Sequence, residues 1–234
     1  MPETDNAFQA ALELILGLDP TLLGIVALSL QVSLAAVLVG ALIGLPLGAA
    51  LALWCFPGRG LVVTLLNAFM GLPPVVAGLL VYLMLSRAGP LGELGLLFTP
   101  TAMVIAQSLL VLPIIAALTR DHIRNLWDEY REQLHSFGVT RLRAMPSLLW
   151  DARFALMTVI LAGFGRASAE VGAVLIVGGN IEGVTRVMTT AIALETSKGN
   201  LSLALGLGLV LLGLVALVNG TAYLVGERAR RKLG

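Results

Sequence analysis

Residues 21–55 read TLLGIVALSLQVSLAAVLVGALIGLPLGAALALWC, a run without one charged side chain. A helix needs about 20 apolar residues to cross a bilayer core of roughly 30 Å. Inside hydrocarbon every backbone amide must find its partner within the protein, which a helix provides by itself. As one straight helix the run would reach about 52 Å, so it is expected to tilt or protrude, with Pro46 as a kink where a backbone donor is missing. Four further apolar stretches are long enough to span: about 61–86, 100–119, 154–178 and 201–226. A barrel would instead show alternating segments of about ten residues. The expected fold class is an all-α integral membrane protein with about five transmembrane helices.

Composition points the same way. The chain is 58% hydrophobic and 12% charged, against roughly 25% charged in soluble domains, and its mean hydropathy is +0.94. The single Cys55 excludes an intrachain disulfide, and His122 and His135 stand apart, without metal-ligand spacing. No bound metal, resident cofactor or nucleic-acid partner is expected. The only lysines, Lys198 and Lys232, sit in no Gly-x-x-x-x-Gly-Lys-Ser/Thr context, so the chain holds no phosphate-cradling loop of the usual ATPase kind. No catalytic constellation appears either, and the chain is not expected to be an enzyme.

The polar segments order these spans. Residues 1–20 carry Glu3, Asp5, Glu13 and Asp19 and no basic residue, the reverse of a signal peptide. The first span is therefore expected to be retained, and residues 8–18, too short to cross, to lie in the outer interface. With the N-terminus outside, eleven basic residues fall inside (Arg59, Arg120, Arg124, Arg131, Arg141, Arg143, Arg153, Arg228, Arg230, Arg231, Lys232). Three fall outside (Arg87, Arg186, Lys198), and Arg166 lies within a span. Cytoplasmic loops accumulate Lys and Arg, so the C-terminus is expected in the cytoplasm. The organisation is then an outer segment (1–20), one permease domain (21–226) with a cytoplasmic loop at 120–153 and an external loop at 179–200, and a basic tail (227–234). The external loop has the apolarity to fold back into the membrane.

In the cytoplasmic loop, Ile123, Trp127, Tyr130, Leu134 and Phe137 recur at spacings of four, three, four and three, which is one helical face. Gly138 supplies a stop, and a second apolar segment follows at about 142–150. A helix, a break and a second short helix are predicted. Such a projection suits docking into a groove of a separate motor; an amphipathic helix on the inner leaflet has the same periodicity. In the fourth stretch, Arg166 and Glu170 lie four residues apart, and an ionisable residue at a helix centre costs about 2.5–3.5 kcal/mol on insertion scales. They either neutralise one another on one face or line a polar pathway for an anion. Gly71-Leu72-Pro73-Pro74 must disturb the second span, as a gate hinge or as a fixed kink. Gly40, Gly44 and Gly48 permit close helix approach.

Two motifs carry a family resemblance. Glu132-Gln133-Leu134 with Gly138 resembles the Glu-Ala-Ala…Gly cytoplasmic signature of ABC importer permeases, Gln133 and Leu134 replacing the alanines and Leu148-Leu149-Trp150-Asp151 standing where the family has Ile-x-Leu-Pro. Arg166-Ala167-Ser168-Ala169-Glu170-Val171-Gly172-Ala173, followed by Gly179-Asn180-Ile181-Glu182-Gly183-Val184-Thr185, resembles a run shared by the permeases of molybdate, tungstate and sulfate importers. Within that family the likeness is strongest to the tungstate permeases and extends over nearly the whole chain. It implies a type I importer fold and a homodimer in a bacterial inner membrane. It further implies two cytoplasmic ABC ATPase subunits that carry ATP and Mg, and an external oxyanion-binding protein. By the resemblance the cytoplasmic loop docks on the ATPase; Glu132 and Gly138, with Trp127, Tyr130 and Phe137, are expected to form that coupling surface, and Arg166, Glu170, Asn180, Thr185 and Arg186 the translocation pathway. The same architecture importing molybdate or sulfate, or an ATP-independent channel or secondary transporter, is the alternative.

Overall fold

The computed structural model describes residues 13, 16, 17 and 19–233, with the backbone alone at 222, 223 and 225–233. The interfacial segment expected at 8–18 and the side chains of the basic tail lie outside the described residues. What is described is helical: α1 (Pro20–Leu53), α2 (Arg59–Met70), α3 (Pro74–Leu85), α4 (Pro100–Ser136), α5 (Arg141–Asp151), α6 (Arg153–Ser168), α7 (Gly172–Gly178), α8 (Met188–Lys198) and α9 (Leu201–Leu233), with a 3-10 turn at Gly92–Leu94. Among the described residues, α1, α4 and residues 201–221 of α9 are each long and apolar enough to cross a membrane. The bent pairs α2/α3 and α5/α6 bring the number to as many as five. The expected first, third and fifth spans are single long helices and the second is the bent pair α2/α3, whereas the bent pair α5/α6 does not coincide with the expected fourth stretch at 154–178.

Local chemistry explains the boundaries. Asp19 begins α1, its Oδ1 accepting the N–H groups of Thr21 (2.9 Å) and Leu22 (3.0 Å), the ordinary use of an aspartate at an N-cap. The helix continues through Pro46. Its far end is closed by Arg59, whose Nε donates to the Leu51 carbonyl at 2.7 Å, satisfying an acceptor that the helix itself leaves open. At Gly71–Pro73 the helix stops, and Pro74 begins α3, the position where a missing N–H costs least.

Two stretches differ from the sequence expectation. The loop helix is not separate, because α4 runs without interruption from the third span to Ser136. The apolar stretch 154–178 is two helices, since α6 ends at Ser168 and α7 starts at Gly172. Hydropathy does not show that break, because apolar residues lie on both sides of it.

The chain divides into two compact units, one of Met1–Ala36, Pro73–Gln107 and Ala167–Asn219, the other of Val37–Leu72, Ser108–Arg166 and Gly220–Gly234. In the first, Leu22 and Ile25 of α1 pack with Met188 and Ala191 of α8 and Leu207 of α9. The buried Ser29 hydroxyl joins α1 to α8 by donating to Ile25 O (2.6 Å) and accepting from Met188 N (2.7 Å). Here α3 and α7 approach so closely that a Cβ on Gly78 would lie 2.7 Å from Ala173 Cα. In the second unit, Val111 and Ile115 of α4 fill the space left by glycines on both neighbours. A Cβ at Gly44 would lie 2.9 Å from Ile115, and one at Gly163 would lie 3.0 Å from Val111. Small residues serve membrane helices in this way because lipid offers no hydrophobic gain for their association, leaving close packing to supply it. Outward-facing Leu38, Leu42, Leu79 and Leu83 present the apolar surface that lipid or another membrane subunit covers.

Candidate functional site: a loop hairpin, a broken span and a polar loop

The hairpin of α4 and α5 lies in the second unit. Along its apolar stripe, Ile123 and Trp127 are buried, Tyr130 and Leu134 half-buried, and Phe137 is 73% exposed. The helix ends where Val139 N–H donates to Leu134 O and Gly138 N–H to His135 O, both at 3.0 Å. That is the double bond of a left-handed helix stop, and Gly138 has φ +66°, which a side chain resists. The returning α5 buries Ala144 and Leu148 and leaves Trp150 72% exposed. Between the two helices runs an apolar groove of ≈ 650 Å³ lined by Tyr130, Leu134, Phe137, Pro146, Leu148 and Trp150. A polar cleft of ≈ 710 Å³ is lined by Trp127, Arg131, Glu132, His135 and Arg141. In it the Trp127 ring meets His135 edge-on at 5.7 Å and Arg141 stands 6.0 Å from its centroid.

The five residues expected to form one coupling surface are thus distributed. Tyr130 and Phe137 face the groove, Trp127 and Glu132 the cleft, and Gly138 makes the turn between the helices. Trp150 and Leu148 complete the groove; their signal was the apolar segment at 142–150, but only the fold turns it back against α4. At the α5/α6 elbow, a bend of 74°, Arg153 packs over Trp150 (5.1 Å) and Phe154 (4.6 Å) and donates to the Trp150 carbonyl.

The break after α6 is organised by Glu170. Arg166 occupies the last turn of α6, while Glu170 lies just beyond the end of that helix. Glu170 is 4% exposed. Its Oε1 accepts the N–H of Ala173 at 3.1 Å, its N–H donates to Ala167 O at 3.2 Å, and its carbonyl accepts from the Thr189 hydroxyl at 2.7 Å. The Ala167 carbonyl also receives Gln107 Nε2 at 3.1 Å. A buried carboxylate needs donors. An uninterrupted helix has already committed its amides four residues back, whereas the break frees them.

Past α7 the chain turns through Gly179 and Asn180, both at positive φ. Thr185 is fully buried; its hydroxyl donates to Gly178 O at 2.6 Å and accepts from Ile181 N at 3.0 Å, holding the loop closed. Asn180 Nδ2 reaches Thr190 O at 3.5 Å, and its Oδ1 is buried without a hydrogen-bond partner. Arg186 pairs loosely with Glu182, Nη1 to Oε2 at 3.4 Å. Asn180, Thr185 and Arg186 therefore belong to one loop, in which Thr185 has a structural task. Pro73 and Pro74 lie at the α2/α3 break. Among the described residues no group of three or more His, Cys, Asp or Glu gathers where it would hold a metal ion.

No family model matches the chain. It is 42% identical over 203 residues, 85% of this chain and 88% of the relative, to a probable anion ABC transporter permease protein of Haloferax volcanii. It is 40% identical over 222 residues, 95% of this chain and 97% of the relative, to the tungstate uptake system permease protein TupB of Peptoclostridium acidaminophilum. A sulfate transport system permease protein, CysW of Synechocystis, is more distant at 28% identity over 223 residues, 86% of this chain and 79% of the relative.

Proposed function

The chain belongs to the ABC transporter permease family, and on that footing we propose that it is the membrane-spanning subunit of an importer that moves tungstate into the cell. The observation that carries this reading is the 40% identity with a tungstate uptake permease along 97% of that protein's length. An ABC system divides its labour, so ATP and Mg act on a separate ATPase subunit. The assembly is two copies of this chain, two ATPases and an external oxyanion-binding protein, with the N-terminus outside and the C-terminus in the cytoplasm.

Within that assembly the α4/α5 hairpin meets the ATPase. The turn at Gly138 sets the two helices, Tyr130 and Phe137 with Trp150 offer the apolar groove, and Trp127 and Glu132 offer the polar flank. A groove bounded by aromatic side chains and rimmed by charge has the composition of an interface core with its rim. Arg166 and Glu170 stand along the pathway near the break in the fourth span, Asn180, Thr185 and Arg186 at its outer mouth, and Pro73 and Pro74 at a gate. A pathway that holds a dianion too tightly would not release it, and a buried carboxylate at Glu170 keeps affinity low.

Reconstitution of the chain with its ATPase and binding protein in vesicles tests this. Hydrolysis and uptake should require the binding protein and respond to tungstate at lower concentration than to molybdate or sulfate. Stimulation by sulfate alone, or anion flux without ATP, would overturn the assignment.

A further inference from the structure

The loop after α7 and the first turns of α1, both in the first unit, enclose a pocket of ≈ 290 Å³ beside Arg186. Pro20, Thr21, Gly24, Ile25, Leu28 and Val184 make its wall, and Arg186 and Glu182 supply its charges. The Arg186 side chain is 14% exposed, and its Nε is buried without a hydrogen-bond partner. Among the described residues its ion pair is to Glu182 at 3.4 Å, longer than the roughly 2.7–2.9 Å of a charge-assisted bond, and the Glu182 side chain is 72% exposed. Glu195, whose carboxyl also feels the Arg186 charge, is held by Lys198 (2.9 Å) and Asn200 (3.1 Å). A guanidinium shielded from water with an unused N–H is costly to leave so. Glu182 thus satisfies the guanidinium only in part.

The wall decides which anion. A tetrahedral dianion stripped of water needs donors on several sides, and this wall is apolar apart from Thr21. A carboxylate on an aliphatic stem fits: two oxygens for the fork of Arg186, and methylenes against Ile25, Leu28 and Val184. One carboxylate replaces another, so the local charge balance is kept when Glu182 swings out. We propose that the Arg186 pocket receives an acidic side chain of the external binding protein, in exchange for Glu182, and so anchors that protein on the permease. This rests on the importer reading.

The test is the affinity of the tungstate-loaded binding protein for the reconstituted permease–ATPase complex. Arg186→Gln should weaken it at least about tenfold. Gly24→Leu, placed where a Cβ would have no atom within 4 Å, should fill the pocket and weaken it comparably with Arg186 intact. Glu182→Gln should leave affinity equal or tighter. Uptake by the first two variants should recover as binding protein is added in excess. Wild-type affinity in both Arg186→Gln and Gly24→Leu overturns the proposal. So does direct binding of free tungstate to the complex that Arg186→Gln abolishes, which would give the pocket to the cargo. A wild-type complex that binds no binding protein at all sinks the importer reading and the proposal together.

Discussion

At the residue scale, two positions separate conformation from charge. Gly138 has φ +66° and donates its N–H to His135 O. Alanine there should destabilise the turn by about 1 kcal/mol, and proline, which removes the donor and fixes φ at a negative value, by about 3 kcal/mol or more. Hydrogen exchange across residues 134–141 reads the loosening, and the ratio of anion imported to ATP hydrolysed should fall with it. Unchanged protection in Gly138→Pro would contradict the geometry. Glu170 is the second. Glu170→Gln keeps an oxygen for Ala173 N–H and removes the charge, whereas Glu170→Ala leaves that buried N–H unpaired at a cost of about 1–3 kcal/mol. Thermal unfolding should place the alanine variant below the glutamine variant, while uptake changes in both. A glutamine variant with normal uptake would leave Glu170 only its role at the break.

At the scale of elements, the join of α8 to α9 depends on Glu195. Lys198 is the main cause holding its carboxyl below the usual value of 4.5, with Asn200 and the charge of Arg186 adding to it and burial opposing. A lowered folded value means that this contribution to stability is complete above the ordinary carboxylate range and is lost as pH falls through the lower folded value. Because Lys198 is 53% exposed, solvent screens the pair and the effect is modest. The melting midpoint of Glu195→Gln should therefore sit below wild type at pH 7, and the gap should close as the solution is acidified below pH about 4. A gap that widens on acidification would reverse the assignment of the shift.

At the scale of the whole molecule, the prediction concerns the partner that drives transport. Phe137 and Trp150 come from opposite sides of the Gly138 turn and face one groove. Aromatic anchors of this kind carry about 2 kcal/mol or more of an interface each. Phe137→Ala and Trp150→Ala should each weaken ATPase copurification, and the double variant should lose it, with the membrane part still folded by circular dichroism. ATPase retention in the double variant would move the docking surface to the polar cleft around Glu132.

The residues by themselves determined the membrane class, because 35 consecutive uncharged positions at 21–55 leave a backbone in lipid no choice but a helix. The helix–turn–helix in the loop was likewise legible, since a 3.6-residue apolar period ending at a glycine states both the helix and its stop. Gly40 and Gly44 were readable as points of close approach for the same reason: absence of a side chain is a local property. The tertiary structure alone decided the rest. The break between α6 and α7 comes from where the Glu170 carboxylate finds its donors, and hydropathy cannot register a hydrogen bond. Trp150 joins Phe137 only because the chain reverses at Gly138. Arg186 gains a pocket only because the first turns of α1, more than 150 positions earlier in the chain, lie beside it. Periodicity records what a residue does within its own helix; a site made of distant segments exists only once packing has brought them together.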